Sequence, residues 1–288
     1  MNTKINLFAV TIDQVKDLEE KFRITKNTGF DGIDLMDSAI ESWLNQGHTL
    51  EELSKLPKKY DLPVYHIGYL SEWQTHKGVP LVCRILDEAI RNPEDTLVRL
   101  KERLKKYFEH CQALEVKNAL APVTTEDAGS LEESVESFSI LCEEAKKYGL
   151  RCGLEFIGWA KKWNNVKIVY EIVEKANLDN GGLIVDAFHF YSGNSRIEDL
   201  RRVPAEKIFI VHMNDIRKMP REEMKDSDRV IPGKGVIPLK EILTVLLREK
   251  KFPGPLSIEL FNESYWNDDP LKIAKQCKAG MDEVLSEV

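Results

Sequence analysis

Short apolar runs rich in β-branched residues alternate with longer amphipathic segments along the whole chain, and this alternation restricts the possible folds more than any other feature. It predicts repeated strand–helix units around a parallel sheet. We count eight units. The predicted strands are Ile5–Val10, Gly32–Met36, Pro63–Gly68, Asn118–Val123, Cys152–Ile157, Gly182–Phe188, Ile208–Asn214 and Leu256–Phe261. The predicted helices are Asp13–Asn27, Thr49–Tyr60, Glu94–Leu114, Leu131–Tyr148, Val166–Ala176, Arg196–Arg202, Leu239–Lys250 and Pro270–Val288.

Eight units in 288 residues favour a closed (β/α)8 TIM barrel, a single domain over residues 1–288, because no Pro-, Gly- or Ser-rich linker divides the series. The first strand-to-helix turn reads Val10-Thr11-Ile12-Asp13 and lacks the G-x-G-x-x-G pattern, so we expect no dinucleotide cofactor. Two long connections, Tyr69–Asn92 and Asp215–Ile237, follow strands at the carboxyl face, where barrel enzymes build their sites.

Signals at the helix ends support these units. Asp13 and Asn165 are predicted N-caps, and Gly29 and Gly149 are predicted to follow the ends of helices. Local sequence therefore agrees with the alternation that defines the barrel.

Composition excludes several classes of protein. A net charge of −7 without a basic block makes nucleic acid an unexpected partner. The 5 cysteines are scattered without a C-x-x-C pair, which predicts neither disulfides nor a zinc knuckle and fits a reducing compartment. No segment reaches the roughly 18 apolar residues of a membrane span, and the first residues lack a signal-peptide pattern. We therefore expect a cytoplasmic protein with no membrane partner.

Four predicted strands end in an ionisable residue between apolar neighbours. Side chains alternate along a strand, so the ionisable ones should face the barrel interior. Three carboxylates placed close together there would repel one another and cost several kcal/mol unless a cation offsets them. Three carboxylates and an imidazole suit one divalent ion, Mn²⁺, Mg²⁺, Co²⁺ or Zn²⁺. The predicted metal ligands are Glu155, Asp186, His212 and Glu259.

Each of these residues alone is more often structural than functional. A single carboxylate at a strand end is commonly a salt-bridge partner, and a single histidine in an apolar strand is commonly a hydrogen-bonded core residue. All four residues have the inward parity, each on a different strand. This agreement favours a shared metal site, because otherwise four unrelated structural causes would have to place them there together.

Three further residues are predicted to bind substrate. His189 follows Asp186 by three residues, and His66 ends the third predicted strand with the same inward parity. Arg229 lies in a turn-rich loop, where it would present guanidinium donors to substrate oxygens or, alternatively, form a salt bridge with Asp215 or Asp228. Candidate aromatic or imidazole walls of the pocket are Trp73, His76, Tyr265 and Trp266.

As an ordered set, the motifs around these residues resemble those of the xylose-isomerase-like barrel superfamily of sugar isomerases and epimerases, and within it the inosose (2-keto-myo-inositol) isomerases. The motifs are GLEF with Glu155, VDAFHF with Asp186 and His189, VHMND with His212, DRVIPGKG with Arg229, and SIELF with Glu259. The resemblance implies that Glu155, Asp186, His212 and Glu259 bind the metal and that His189 and Arg229 contact substrate. One departure is the segment Tyr69–Asn92, which looks longer than its counterpart in those isomerases.

The expected chemistry is proton transfer beside the carbonyl of a keto-inositol, ketose or related polyol, through an enediolate stabilised by the cation. Glu155 and Glu259 are the predicted acid–base pair, since they come from strands on different sides of the metal. Proton return on one face gives 1,2-isomerisation, use of both faces gives epimerisation, and loss of a β-hydroxyl gives dehydration.

Other functions stay open at this point. A dehydratase of the inosose or dehydroshikimate type would use the same barrel. A metal-dependent nuclease would be expected to carry more than 6 histidines and a basic surface. A non-catalytic sugar-binding subunit of a larger complex would hold no metal, and a homodimer is a further expectation.

Overall fold

Eight parallel strands close into a barrel in the computed structural model, which describes residues 3–69, 75–76, 79–80, 93–123 and 129–288. Each strand pairs with its neighbours in chain order, and β8 pairs with β1 to close the ring. The predicted barrel is therefore confirmed. The barrel strands are β1 Ile5–Phe8, β2 Gly32–Met36, β3 Val64–Gly68, β4 Asn118–Pro122, β5 Arg151–Glu155, β6 Gly181–Asp186, β7 Ile208–Met213 and β8 Leu256–Ile258.

Helices surround the barrel, and the connections carry short additional elements. Two antiparallel pairs of two-residue strands join Thr75–His76 to Val79–Pro80 and Asp215–Ile216 to Arg229–Val230. A π-helical turn, Thr244–Glu249, extends one helix. The α-helices are Leu18–Asn27, Asp37–Asn45, Leu50–Tyr60, Pro93–Ala113, Leu131–Lys146, Val166–Ala176, Ala187–Ser192, Ile197–Arg202, Leu239–Leu243, Glu263–Trp266 and Pro270–Ser286.

Local sequence explains most helix starts. Thr49 and Ser130 each close a capping box with a glutamate three residues later. Asn165 caps its helix as predicted, accepting a hydrogen bond from the backbone N–H of Ile168. The prediction for Asp13 was wrong: Asp17 caps the first helix.

Several strands end earlier than predicted, and the reason bears on the site. Residues Ala9–Ile12 form a 3₁₀ turn instead of extending β1. The strand predicted to reach Phe188 ends at Asp186, because the Asp186 side chain caps the helix that begins at Ala187. The helix Asp37–Asn45 was missed because it follows β2 directly, with no side-chain cap and no glycine or proline between them.

The core has two parts. The larger one packs the outer faces of the strands against the helices. A separate buried cluster on the barrel strands comprises Leu120, Ile184, Phe209 and Ile210. Buried polar residues occupy other strands of the barrel and form a connected group, Asn6, Asp34, His66 and Ser257. Over the described residues, no helix combines the length and apolarity needed to cross a bilayer.

Candidate metal centre

The four predicted ligands come together at the carboxyl end of the barrel. Glu155 and Asp186 are the last residues of β5 and β6, and Glu259 directly follows β8. His212 in β7 is the register partner of Asp186, so these two side chains lie side by side. All four are buried, and one potential ligand atom from each lies within 4.8 Å of the others. Strand parity therefore located this cluster correctly.

His212 is at the centre of the cluster. Its Nδ1 atom lies 3.3 Å from Glu155 Oε1, 3.3 Å from Glu259 Oε2 and 3.9 Å from Asp186 Oδ2. Neither His212 Nδ1 nor Glu155 Oε1 makes a hydrogen bond with any described group. Buried polar atoms without a partner are costly. Three carboxylate oxygens and one imidazole nitrogen aimed at a common point therefore fit a single divalent cation.

The surroundings give Glu155 and Glu259 very different pKa values. Burial raises the pKa of Glu155 to about 7, against a smaller opposing effect of His212. Burial also acts to raise the pKa of Glu259, but His212 and Arg229 together hold it well below its usual range. Two carboxyl groups with such different proton affinities are a common arrangement in acid–base catalysis.

Asp186 is fixed by three donors. Its Oδ1 accepts a hydrogen bond from the backbone N–H of His189 at 2.7 Å. Its Oδ2 accepts from Asn214 Nδ2 at 2.8 Å and from Arg229 Nη1 at 3.1 Å. The carboxylate is thereby oriented before any ligand binds.

Arg229 is fully buried behind the ligands. Its Nη1 donates to both Asp186 and Glu259, and its Nη2 donates to Asp226 Oδ1 at 2.6 Å. The guanidinium also lies over the rings of Phe188 and Phe261. The alternative salt bridges considered from sequence were wrong: Asp215 accepts from the backbone of residues 216, 233, 235 and 237, and Asp228 accepts from the backbone N–H of residue 225.

His189 lies on the wall of the cavity above the cluster. The backbone N–H of Gly158 donates to His189 Nδ1 at 3.3 Å, and Arg229 Nη2 lies 3.1 Å from His189 Nε2. Trp159 meets the imidazole edge-on, with ring centroids 4.9 Å apart. The helix that starts at Ala187 thus brings His189 over the barrel mouth, as the sequence predicted.

His66 has a different place from the one predicted. It is completely buried, and its Nε2 lies 3.1 Å from His212 Nε2, on the opposite side of the His212 ring from the carboxylates. It is not among the described residues that line the cavity. A direct contact between His66 and substrate therefore has no support in this geometry.

A cavity of about 810 Å³ opens above the cluster. Of the predicted walls, Trp73 lies outside the described residues, and only the backbone of His76 is described. Neither Tyr265 nor Trp266 lines the described cavity; the Trp266 indole donates to the carbonyl oxygen of Val10 instead. The described lining residues are Met36, Asp37, Ser38, Glu41, Ser42, Asn45, Gln46, Tyr69, Arg103, Pro122, Glu155, Ile157, Trp159, His189, Asp226 and Phe261.

Sequence reasoning missed two residues of this site. Tyr69 donates a hydrogen bond to Glu259 Oε1 at 3.2 Å, and it stacks on Phe261. Asp226 pairs with Arg229, and burial raises the pKa of Asp226 to about 6. For Tyr69 a signal existed, since it directly follows β3 just as Glu259 follows β8. For Asp226 the only signal was its spacing of three residues from Arg229.

Residues 22–282 match the protein family described as Xylose isomerase-like TIM barrel. The chain belongs to this family. It is 33% identical over 281 residues to inosose isomerase of Halalkalibacterium halodurans, covering 95% of this chain and 92% of that protein. It is 27% identical over 252 residues to 3-dehydroshikimate dehydratase of Pseudomonas putida, covering 86% of this chain but only 36% of the relative. A crystal structure of the IOLI protein with a binding zinc atom superposes with a TM-score of 0.85 at 27% identity, covering 99% and 98% of the two chains.

Proposed function

We propose that this protein is a divalent-metal-dependent isomerase or epimerase that moves a proton beside the carbonyl of a keto-inositol or ketose. The observation that carries the proposal is the convergence of four buried ligand atoms below an open cavity, with two of those atoms unpaired among the described groups. The similarity to inosose isomerase over 95% of the chain supports the same class of substrate.

Glu155, Asp186, His212 and Glu259 would hold the cation. When bound, a divalent cation polarises a carbonyl and stabilises negative charge on its oxygen. The ligand set is compatible with Mn²⁺, Mg²⁺, Co²⁺ or Zn²⁺, and the zinc in the related IOLI structure makes zinc the first ion to test.

Glu155 is the residue we assign to proton removal. Its Oε1 makes no hydrogen bond among the described groups, and the residue lines the cavity. A carboxyl whose pKa is about 7 can accept and release a proton near neutral pH. The carbon-bound proton would pass to the carboxylate oxygen of Glu155 that does not hold the cation. The electrons of the C–H bond would form the carbon–carbon double bond of an enediolate, and the carbonyl π electrons would move to the carbonyl oxygen.

Glu259 is the second member of the acid–base pair. Arg229 and the Tyr69 hydroxyl donate to its two oxygens, which keeps it ionised and oriented. Proton return to the neighbouring carbon on the same face of the substrate gives isomerisation. Epimerisation needs a proton delivered from the opposite face, and the Tyr69 hydroxyl, which donates to the ionised Glu259 carboxylate, would supply that proton and regain one from solvent.

Three residues of the cavity wall would orient the polyol. His189 and Asp226 offer polar atoms to its hydroxyls, while the half-exposed Trp159 offers an aromatic face to its C–H groups. Arg229 is placed to hold the carboxylates of Asp186 and Glu259, so we assign it to ligand orientation and not to direct substrate contact.

Dehydration is the second candidate, because the chain is also similar to 3-dehydroshikimate dehydratase over 86% of its length. It would begin with the same proton removal and end with loss of a β-hydroxyl as water. The two functions therefore share Glu155 and differ in the product.

The test is proton exchange in D₂O. Keto-inositols and ketohexoses are incubated with the metal-loaded protein, and NMR follows deuterium at the carbon beside the carbonyl and the identity of the product. We expect deuterium incorporation with an isomer or epimer as product, and its loss in Glu155→Gln but not in the exposed control Glu174→Gln. No incorporation with any of these substrates would contradict the proposal, and an unsaturated product would favour the dehydratase.

A further inference from the structure

A line of three side chains runs from the floor of the metal centre into the barrel. Below His212, the His66 ring faces it with centroids 4.9 Å apart, and the two Nε2 atoms are 3.1 Å apart. On its other side, His66 Nδ1 lies 3.3 Å from Asp34 Oδ1. All three side chains are fully buried.

Both carboxylate oxygens of Asp34 accept hydrogen bonds, which favours its ionised form. The backbone N–H groups of Tyr65 and His66 donate to Oδ1, both at 3.0 Å. Ser257 Oγ donates to Oδ2 at 2.6 Å, and Asn6 Nδ2 donates to the same oxygen at 3.1 Å. Four donors thus surround the Asp34 carboxylate, and the His66 imidazole lies beside it.

This arrangement determines where the protons are. Among the described residues, His66 Nδ1 makes no hydrogen bond, and the Asp34 carboxylate is the acceptor beside it, which draws the His66 proton to Nδ1. His66 Nε2 is then a bare acceptor, and it must receive the hydrogen from His212 Nε2. A neutral His212 with its proton on Nε2 has a free lone pair on Nδ1, the nitrogen that faces Glu155, Asp186 and Glu259.

We propose that Asp34 and His66 are positioning residues that hold His212 in the tautomer and orientation needed for metal binding through Nδ1. This inference deepens the proposed function, because it concerns the ligand set on which that function rests. A carboxylate that accepts a hydrogen bond from the far side of a metal-bound histidine is common in proteins, and its removal typically weakens metal binding. Here a second histidine stands between the carboxylate and the ligand.

The contact between His66 and His212 also explains how two buried imidazoles can face each other. Their Nε2 atoms make a good hydrogen bond only if one donates and the other accepts. Asp34 decides the direction of that bond at the His66 end. The same bond is satisfied whether His212 Nδ1 carries a proton or binds a cation, so the connection persists with and without metal.

The first test measures metal affinity without substrate. Zinc and cobalt dissociation constants are obtained by competition with a chromophoric chelator for the wild type, His66→Phe and His66→Gln. We expect His66→Phe to bind about 10- to 100-fold more weakly, and the His66→Gln amide, which can accept from His212, to restore most of the affinity. Wild-type affinity in His66→Phe would overturn the proposal, as would equal losses in both variants.

The second test needs no variant and covers the case in which His66→Phe does not fold. Long-range ¹⁵N–¹H NMR of the histidine rings in the wild type, with and without zinc, reports the tautomer of each ring. We expect His66 protonated on Nδ1 and bare on Nε2 in both states; a proton on His66 Nε2 would overturn the proposal. Neither test uses turnover, so a protein that binds metal through this arrangement but exchanges no deuterium would contradict only the proposed function.

Discussion

Two clusters of carboxylates and histidine lie near the same cavity, and only one of them has the character of a metal centre. The barrel cluster consists of Glu155, Asp186, His212 and Glu259, and the helix cluster consists of Asp37, Glu41 and His110. Both contain ligand types that bind divalent ions, and in both the potential ligand atoms lie within 4.8 Å of one another. Residue types and proximity therefore do not distinguish them.

Hydrogen bonding distinguishes the barrel cluster from the helix cluster. In the helix cluster, His110 Nδ1 bonds Asp37 Oδ1 at 2.7 Å, His110 Nε2 lies 3.5 Å from Glu41 Oε1, and Lys106 Nζ pairs with Glu41 Oε2 at 2.6 Å. The carboxylates there are partly exposed and already paired. In the barrel cluster the carboxylates are buried, and Glu155 Oε1 has no hydrogen bond among the described groups. The buried carboxylate oxygen without a hydrogen bond, more than ligand composition, distinguishes the candidate cation site.

The largest expected effect is on turnover. Glu259→Gln should lower kcat by about 10²- to 10⁴-fold, because it removes one member of the acid–base pair and a charged ligand. Glu41→Gln, the matching change in the helix cluster, should cost far less. The measurement is the rate of deuterium incorporation under saturating metal, and near-normal turnover by Glu259→Gln would exclude its assignment.

The second largest expected difference between the two clusters is in the metal content of their variants. The wild type should retain about one divalent ion per chain after dialysis, since a complete buried ligand set binds tightly. Asp186→Ala should lose that ion, and Asp186→Asn, which keeps a capping oxygen for the helix at Ala187, should lose most of it. Asp37→Ala should keep it. Elemental analysis measures each value, and equal metal content in the Asp186 and Asp37 variants would remove the distinction.

Removal of metal should lower stability by an intermediate amount. A ligand present at 100 times its dissociation constant stabilises the folded state by about 2.7 kcal/mol. Chelation should therefore reduce the Tm of the wild type by several degrees. Glu41→Gln should show the same shift and Asp186→Asn almost none. A shift in Asp186→Asn as large as that of the wild type would place the bound ion elsewhere.

The smallest effect belongs to the helix cluster itself. His110→Phe should lower the free energy of unfolding by about 1 kcal/mol, because Asp37 loses its hydrogen-bond partner. Metal content should stay that of the wild type. Urea unfolding and elemental analysis measure the two quantities, and loss of the ion in His110→Phe would show that this cluster takes part in metal binding.

Strand periodicity predicted the barrel and the convergence of its ligands, because parity alone decides which side chains face inward. Strand parity does not tell at which depth along the barrel axis an inward-facing side chain lies. His66 has the inward parity that the sequence indicated, yet it lies one layer below the ligands, under His212. Its contact with His212 and Asp34 follows from the relative stagger of the strands, which no single strand sequence contains.

The contacts of long connections were the least predictable. Three aspartates, Asp215, Asp226 and Asp228, lie near Arg229 in the sequence. The sequence suggested Asp215 or Asp228 as its salt-bridge partner, whereas in the fold Arg229 pairs with Asp226. Asp215 instead accepts backbone hydrogen bonds from its own loop, a role that depends on the conformation of residues 233–237. The cytoplasmic location and the homodimer stay predictions from sequence.

Anomalous diffraction from crystals grown with manganese tests the difference between the two clusters most directly. We expect a single strong peak contacted by His212 Nδ1 and by oxygens of Glu155, Asp186 and Glu259, with no peak at Asp37, Glu41 and His110. A peak at the helix cluster, or no peak within the barrel cluster, would contradict the account.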